Sequence, residues 1–333
     1  MATPTHYCFL EEEIEETLAY DNDGMIDNKD VDQELEKYAN KLASFDKNLP
    51  CIDCFEHTID LLTECEGKKE YECPEGHTWG KVLKIVVERI LRYRHIDVGY
   101  KERCFAMISE LIRIEKLKWL DGDFFLGSLI VSLCQVELNI LLIDCDDSKI
   151  REIEAICYIY GDMIGCLAED CMDEEGSLKI FGCLLNAIKE CCFVLEKISE
   201  ETDSFDCIKE CLYYSIVSFV MIEGEESLNV KKLSDLIIPI GQKMLRSNFE
   251  RGSMLIKCLQ NFSSLPVCTI NYIMSYYSIC EEIKYSEGVE NISKLLELLK
   301  DNTDFYSQES LTKFRNVCGK SSGIRRILDL YYL

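Results

Sequence analysis

The stretch Ile150–Cys171, IREIEAICYIYGDMIGCLAEDC, decides the fold class of this chain. Ile153, Ile156, Cys157, Tyr160, Ile164 and Leu167 recur at helical spacing as one apolar seam, while Tyr158 and Met163 begin a second. A helix that is apolar on more than one face cannot be buried by a single partner, whereas stacking between neighbours on both sides can bury it. The same pattern runs along most of the chain. With only 5 prolines and 17 glycines in 333 residues, the sequence is built from long periodic runs rather than short alternating ones. The expected class is therefore all-α.

Helical runs are predicted to start near Phe9, Asp30, Ile52, Thr78, Val98, Asp123, Ser148, Ser177, Ser204, Ser227, Phe249, Val267 and Glu287, with a last pair after Ser307 and Ser321. From Thr78 onward the starts recur roughly every 20–28 residues, so two helices fill roughly 40–50, the span of a HEAT or armadillo unit. The expected architecture is an armadillo/HEAT-like, right-handed α-solenoid of divergent repeats over residues 31–333, preceded by an acidic N-terminal helix and linker over 1–30. Gly122, Gly176 and Gly224 fall in predicted breaks, and Pro239 is expected to kink or split its helix.

The net charge of −25 is unevenly spread. Residues 1–80 carry 21 acids and 6 bases, residues 81–120 carry 5 acids and 10 bases, and the remainder carries 35 acids and 20 bases. Such a surface repels phosphate backbones, which disfavours nucleic acid as a partner. The basic island KVLKIVVERILRYRHIDVGYKERC concentrates Arg89, Arg92, Arg94, Lys101 and Arg103 around one inter-helix turn. Those five residues are the candidate partner-binding cations, for an acidic protein segment or the periphery of a membrane. An amphipathic helix with its charged side in water is the favoured reading of the island.

Most of the 20 cysteines sit at apolar positions of helical runs, as in CLLNAIKECCFVL, and the opening MATPTHYCFLEEEIEE does not read as a secretory signal. The expectation is a reducing, cytoplasmic setting with thiols acting as small core residues. The 20-residue run Phe124–Ile143 has the length of a membrane span, but Gln135, Glu137 and Asn139 interrupt it. A central charge costs about 2.5–3.5 kcal/mol on insertion scales, so a buried helix is expected and no transmembrane span.

Two clusters have metal-ligand chemistry. In DNDGMIDNKD, Gly24 takes the sixth position of a calcium loop, Asp21, Asp23, Asp27 and Asp30 take the third, fifth, ninth and twelfth, and Met25 offers a carbonyl at the seventh. Ala19 removes the first ligand, Asp30 is shorter than the usual glutamate, and no second such loop follows, so a solvated acidic linker is the favoured reading. The alternative is a calcium-responsive regulatory protein. Cys51, Cys54, His57, Cys73 and His77 are zinc-ligand types, and Cys65 lies between them, but Cys54, His57 and Leu61 also fit successive helical turns. Core thiols are the favoured reading there, and no cofactor is expected. No G-x-S-x-G, phosphate-binding glycine loop or H-E-x-x-H is present, and His6 and His95 sit in a tail and a loop. No enzyme activity is expected.

From residue 32 to about 300 the order of segments resembles the neurochondrin family. The likeness lies in QELEKYANKLASFDKNLPCIDCFEHTIDLL, ECPEGHTWGKVLKIVVERIL, KWLDGDFFLGSLIVSLCQVELNILL, EAICYIYGDMIGCLAEDCMD, LLNAIKECCFVLEKI and VMIEGEESL, and more loosely in SICEEIKYSEGVENISKLLELL. The chain is similar to the later part of the family's helical-repeat chain. The resemblance implies an armadillo-like scaffold without catalytic residues that works by protein–protein contact. It further implies roles in neurite outgrowth, in restraining calcium/calmodulin-dependent protein kinase II phosphorylation, and in binding receptor cytoplasmic tails at endosomal membranes or in neuronal processes. The paired lipid-bearing N-terminal cysteines of the family have no match, since Cys8 stands alone.

The linker reading of Asp21–Asp30 predicts no saturable heat in a calorimetric titration with millimolar calcium. A saturable heat accompanied by a rise in melting temperature supports the calcium-responsive alternative instead.

Overall fold

The computed structural model describes residues 28–44, 51–67, 78–93, 97–143, 149–168, 174–199, 206–228, 233–262, 268–298, 308–318 and 321–331. Among them the regular structure is entirely helical. In chain order the α-helices are α1 (Asn28–Ala43), α2 (Ile52–Gly67), α3 (Trp79–Leu91), α4 (Val98–Glu115), α5 (Phe124–Ile143), α6 (Ile150–Ala168) and α7 (Glu174–Ser199). They continue as α8 (Asp206–Glu223), α9 (Leu233–Ser247), α10 (Phe249–Cys258), α11 (Cys268–Glu282), α12 (Ser286–Leu298), α13 (Gln308–Cys318) and α14 (Ser322–Tyr331). The N-terminal residues 1–27, which hold most of the expected acidic helix and linker, lie outside the described residues; α1 begins at Asn28.

The helices form two rows. Even-numbered helices α2 to α14 are neighbours in an unbroken series, and each also packs on odd-numbered helices adjacent in the chain. α6 shows why. Ile153, Ile156, Cys157, Tyr160 and Ile164 are buried, and so are Ile159, Met163 and Cys166 on the other seam. With α4 on one side, α8 on the other and α5 and α7 behind, both seams leave water. At Gly161 a Cβ would run into the ring of Tyr214 on α8, so a side chain there would force the two helices apart.

The odd row is less regular. α1–α3, α5–α7 and α9–α11–α13 pack closely, but α3 meets α5 largely through a single 3-10 turn, Lys118–Leu120, whose Trp119 and Leu120 are buried. A second such turn, Glu226–Leu228, packs Leu228 against α7 just before α9. The chain enters the first wedge at Lys116 with φ 55° and leaves it through Asp121 and Gly122, both left-handed. Backbone strain at Lys116 is offset by burial of Leu117, Trp119 and Leu120. Lys84 of α3 locks the wedge by donating to the Leu120 carbonyl at 2.6 Å. Near the second wedge, the Asn261 amide donates to the carbonyls of Val220 and Met221, satisfying the end of α8.

The structure revises three expectations about breaks. Gly176 is not in a break but is buried in the first turn of α7, where α7 starts at Glu174 with two acids at its positive end. Of the two outcomes expected at Pro239, the split does not occur, since α9 runs through it. Asp235, whose carbonyl the missing N–H would have met, and Pro239 itself are both exposed, so water can take the vacant acceptor. The run expected from Ser227 begins instead at Leu233, because Glu226–Leu228 is the wedge.

Sixteen cysteines fall among the described residues, all free thiols, most of them buried. Burial pushes Cys157 and Cys192 up to about 12, so they stay protonated and serve as small apolar side chains. Replacing Trp119 by alanine should cost about 3–5 kcal/mol in chemical denaturation, as a large buried side chain is deleted. Trp119→Phe should cost far less, because the indole N–H meets no acceptor and its loss orphans nothing.

Candidate interaction groove on the even-numbered helices

Across α4, α6, α8 and α10 the even row carries a cluster of aromatic and charged side chains. Two guanidiniums lie over the Tyr158 ring, Arg113 of α4 at 4.4 Å and Arg251 of α10 at 4.5 Å from its centroid. Tyr214 of α8 meets it edge-on at 5.3 Å. The ring face is the negative part of the aromatic quadrupole, so a cation over it is favourable, and the acids around them fix both arginines. Tyr158 donates to Glu154 Oε1 at 2.6 Å, Arg251 pairs with the same oxygen at 3.4 Å, and Tyr214 donates to Asp162 Oδ1 at 2.6 Å. Arg113 bridges Glu110 at 3.1 Å and Asp162 at 3.4 Å. Burial first, and then the Asp162 carboxylate, push the Tyr214 phenol well above its ordinary range, so it remains a donor.

Beside this cluster runs a groove of about 540 Å³ whose polar lining is Arg113, Lys116, Asp162, Tyr214 and Ser218. Its apolar wall is Ile112, Ile114, Met221, Ile222 and Met254. Gly165 contributes to the floor and has open space where a Cβ would project. Two methionines and an exposed isoleucine lining the same groove as the tyrosine–arginine cluster provide adaptable apolar contact next to fixed donors and rings. Nothing in the local sequence announces this cluster, because each of its members is separated from the next by an intervening helix. The available signal was the repeat period itself: Arg113, Tyr158, Tyr214 and Arg251 follow one another at about the two-helix spacing expected of stacked repeats.

The basic island has a different fate. Arg89 donates to the Ala43 carbonyl at 3.1 Å, and Arg92 pairs with Glu88 at 2.6 Å. Arg103 binds Glu56 at 2.5 Å and the Gly99 carbonyl at 2.8 Å. Lys101 pairs with the buried Glu137 at 2.8 Å. Arg94 lies outside the described residues. Three of the five cations thus tie α1 to α3, α2 to α4 and α4 to α5, and Arg92 pairs within its own helix end.

Of the zinc-type residues, Cys51 is exposed, Cys54 is buried in α2, and the His57 ring meets that of Tyr38 at 4.3 Å, tilted by 60°, beside Glu34. Cys73 and His77 lie outside the described residues, and among those described no three metal-binding side chains come together. Asp21, Asp23, Met25 and Asp27 likewise lie outside; Asp30 is in the first turn of α1. Comparison with protein-family models, curated proteins and solved structures gives no match.

Behind Lys101 and Glu137 lies a buried acid that the sequence did not single out. Glu152 of α6 is 5% exposed, and neither carboxylate oxygen has a hydrogen-bond partner. Burial, followed by the carboxylates of Glu102 and Glu137, pushes it up to about 7, against an opposing pull from Lys101. In the unfolded chain it titrates near the ordinary glutamate value, so between about pH 4.5 and 7 the folded state holds a proton that the unfolded state has lost. Stability from this group is complete at the acid end and falls as pH rises through 7. Glu152→Gln should therefore leave the melting temperature unchanged near pH 5 and raise it at pH 8, as read by thermal denaturation across that range.

Proposed function

We propose that this chain is a non-enzymatic scaffold that binds a protein partner along the groove of its even-numbered helices. The observation that carries the reading is the Arg113–Tyr158–Arg251 cluster beside the apolar wall of Ile112, Met221 and Ile222. Interfaces draw much of their affinity from Tyr and Arg anchors set at the edge of a desolvated apolar pocket. Here the anchors are already fixed by Glu154, Asp162 and Glu110, so little ordering entropy remains to be lost on binding. The fitting partner segment is one that inserts an apolar side chain against Met221 and Ile222 while laying a polar flank on the tyrosine–arginine rail.

In this reading the two rows of helices are an armadillo/HEAT-like, right-handed α-solenoid of neurochondrin type. Support comes from the unbroken even row and the two-helix spacing of the cluster. The resemblance extends the proposal to a kinase or a receptor cytoplasmic tail as the partner, and to signalling and neurite outgrowth as the setting.

Ile222 is exposed at the groove wall, so Ile222→Glu should leave the fold intact while placing a charge where the apolar side chain enters. Affinity capture from cell extract with wild-type chain, Ile222→Glu and an Ile283→Glu control should give partners lost only with Ile222→Glu. An identical set of captured proteins for all three would contradict the groove as the binding face.

A further inference from the structure

We infer that the outward face of α5 is a docking surface for a net-neutral lipid bilayer. Phe125, Val136, Ile140 and Ile143 are exposed, with Phe125 at 70% and Ile143 at 78%, and half-buried Leu129 and Leu133 lie between them. Their three- and four-residue spacing places them on one stripe, opposite buried Leu126, Ile130, Cys134 and Leu138. The stripe carries no charged side chain: the sole acidic or basic residue of α5, Glu137, is buried and paired with Lys101. On α7 the Lys179 ammonium sits 4.2 Å from the Phe124 ring centroid and 5.2 Å from that of Phe125, its charge met by Glu175 at 2.7 Å.

Charge and area select the occupant. A chain of net charge −25 repels both a second copy of itself and an anionic membrane. An apolar stripe without a charged side chain of its own is suited to a surface that is neutral too. A 20-residue helix offers a strip of about 30 Å by about 10 Å, or about 300 Å², against the about 800 Å² per partner of a standard protein interface. Self-association on this strip falls short. A bilayer needs no matching partner surface, and a row of large apolar side chains entering the headgroup boundary is how helices lying in that plane bind. This surface belongs to the odd row, and its occupancy is independent of a protein in the even-row groove.

The test is cosedimentation of the full chain with phosphatidylcholine vesicles, with and without phosphatidylserine, alongside analytical ultracentrifugation. The wild-type chain should sediment with phosphatidylcholine, should bind more weakly when phosphatidylserine is added at low salt, and should recover as salt screens the repulsion. Ile140→Glu should weaken binding at least tenfold, and so should Ile143→Glu, whereas Ile52→Glu, the same change at an exposed position of α2, should not. All three substitutions are at exposed positions, and unchanged melting temperatures would show that the fold is retained. No cosedimentation, equal loss with Ile52→Glu, tighter binding to phosphatidylserine, or a dimer dissociated by Ile140→Glu would each overturn the inference.

Discussion

The structure depends on how α6 is buried. Its two apolar seams leave it no stable arrangement with a single neighbour, and its place between α4 and α8, backed by α5 and α7, removes both seams from water. Gly161 lets α8 come close enough for the Tyr214 ring to cover the α6 backbone. That same approach brings the Tyr214 phenol to Asp162 and holds its ring edge-on to Tyr158. Packing of the core and construction of the surface cluster are therefore one event, and the rail of tyrosines and arginines is the outer edge of the helix stack.

The two rows carry different surfaces. On the even row, charged and aromatic side chains satisfy one another across four helices, and the groove beside them is mixed in character. On the odd row, α5 presents an uncharged apolar stripe, while its only acid turns inward to Lys101. Pairing is also what becomes of the basic island: with 61 acids available in the chain, most of its cations find carboxylates or helix-end carbonyls before any external partner.

What could be read from the sequence follows from the range of each interaction. Helix starts at Ile52, Val98 and Phe249 coincide with the observed ones, because amphipathic period and break residues are local signals. Gly176 was misplaced because a glycine in a first helical turn looks the same as one in a loop, and the stretch before α9 was misjudged because Leu228 serves a wedge against α7 rather than a helix. The candidate groove was not legible. Arg113, Tyr158, Tyr214 and Arg251 meet only once three stacking events have occurred, and Glu152 reads as an ordinary surface acid until α4 and α5 close over it.

Native-state hydrogen exchange tests the central claim most directly, because a helix enclosed on both sides can open only when the stack opens. Amides of α6 and α8 should exchange slowest of all, at rates set by global unfolding. Exchange of α6 at the rate of the chain ends, or slowest protection located outside the α4–α6–α8 series, would contradict the account.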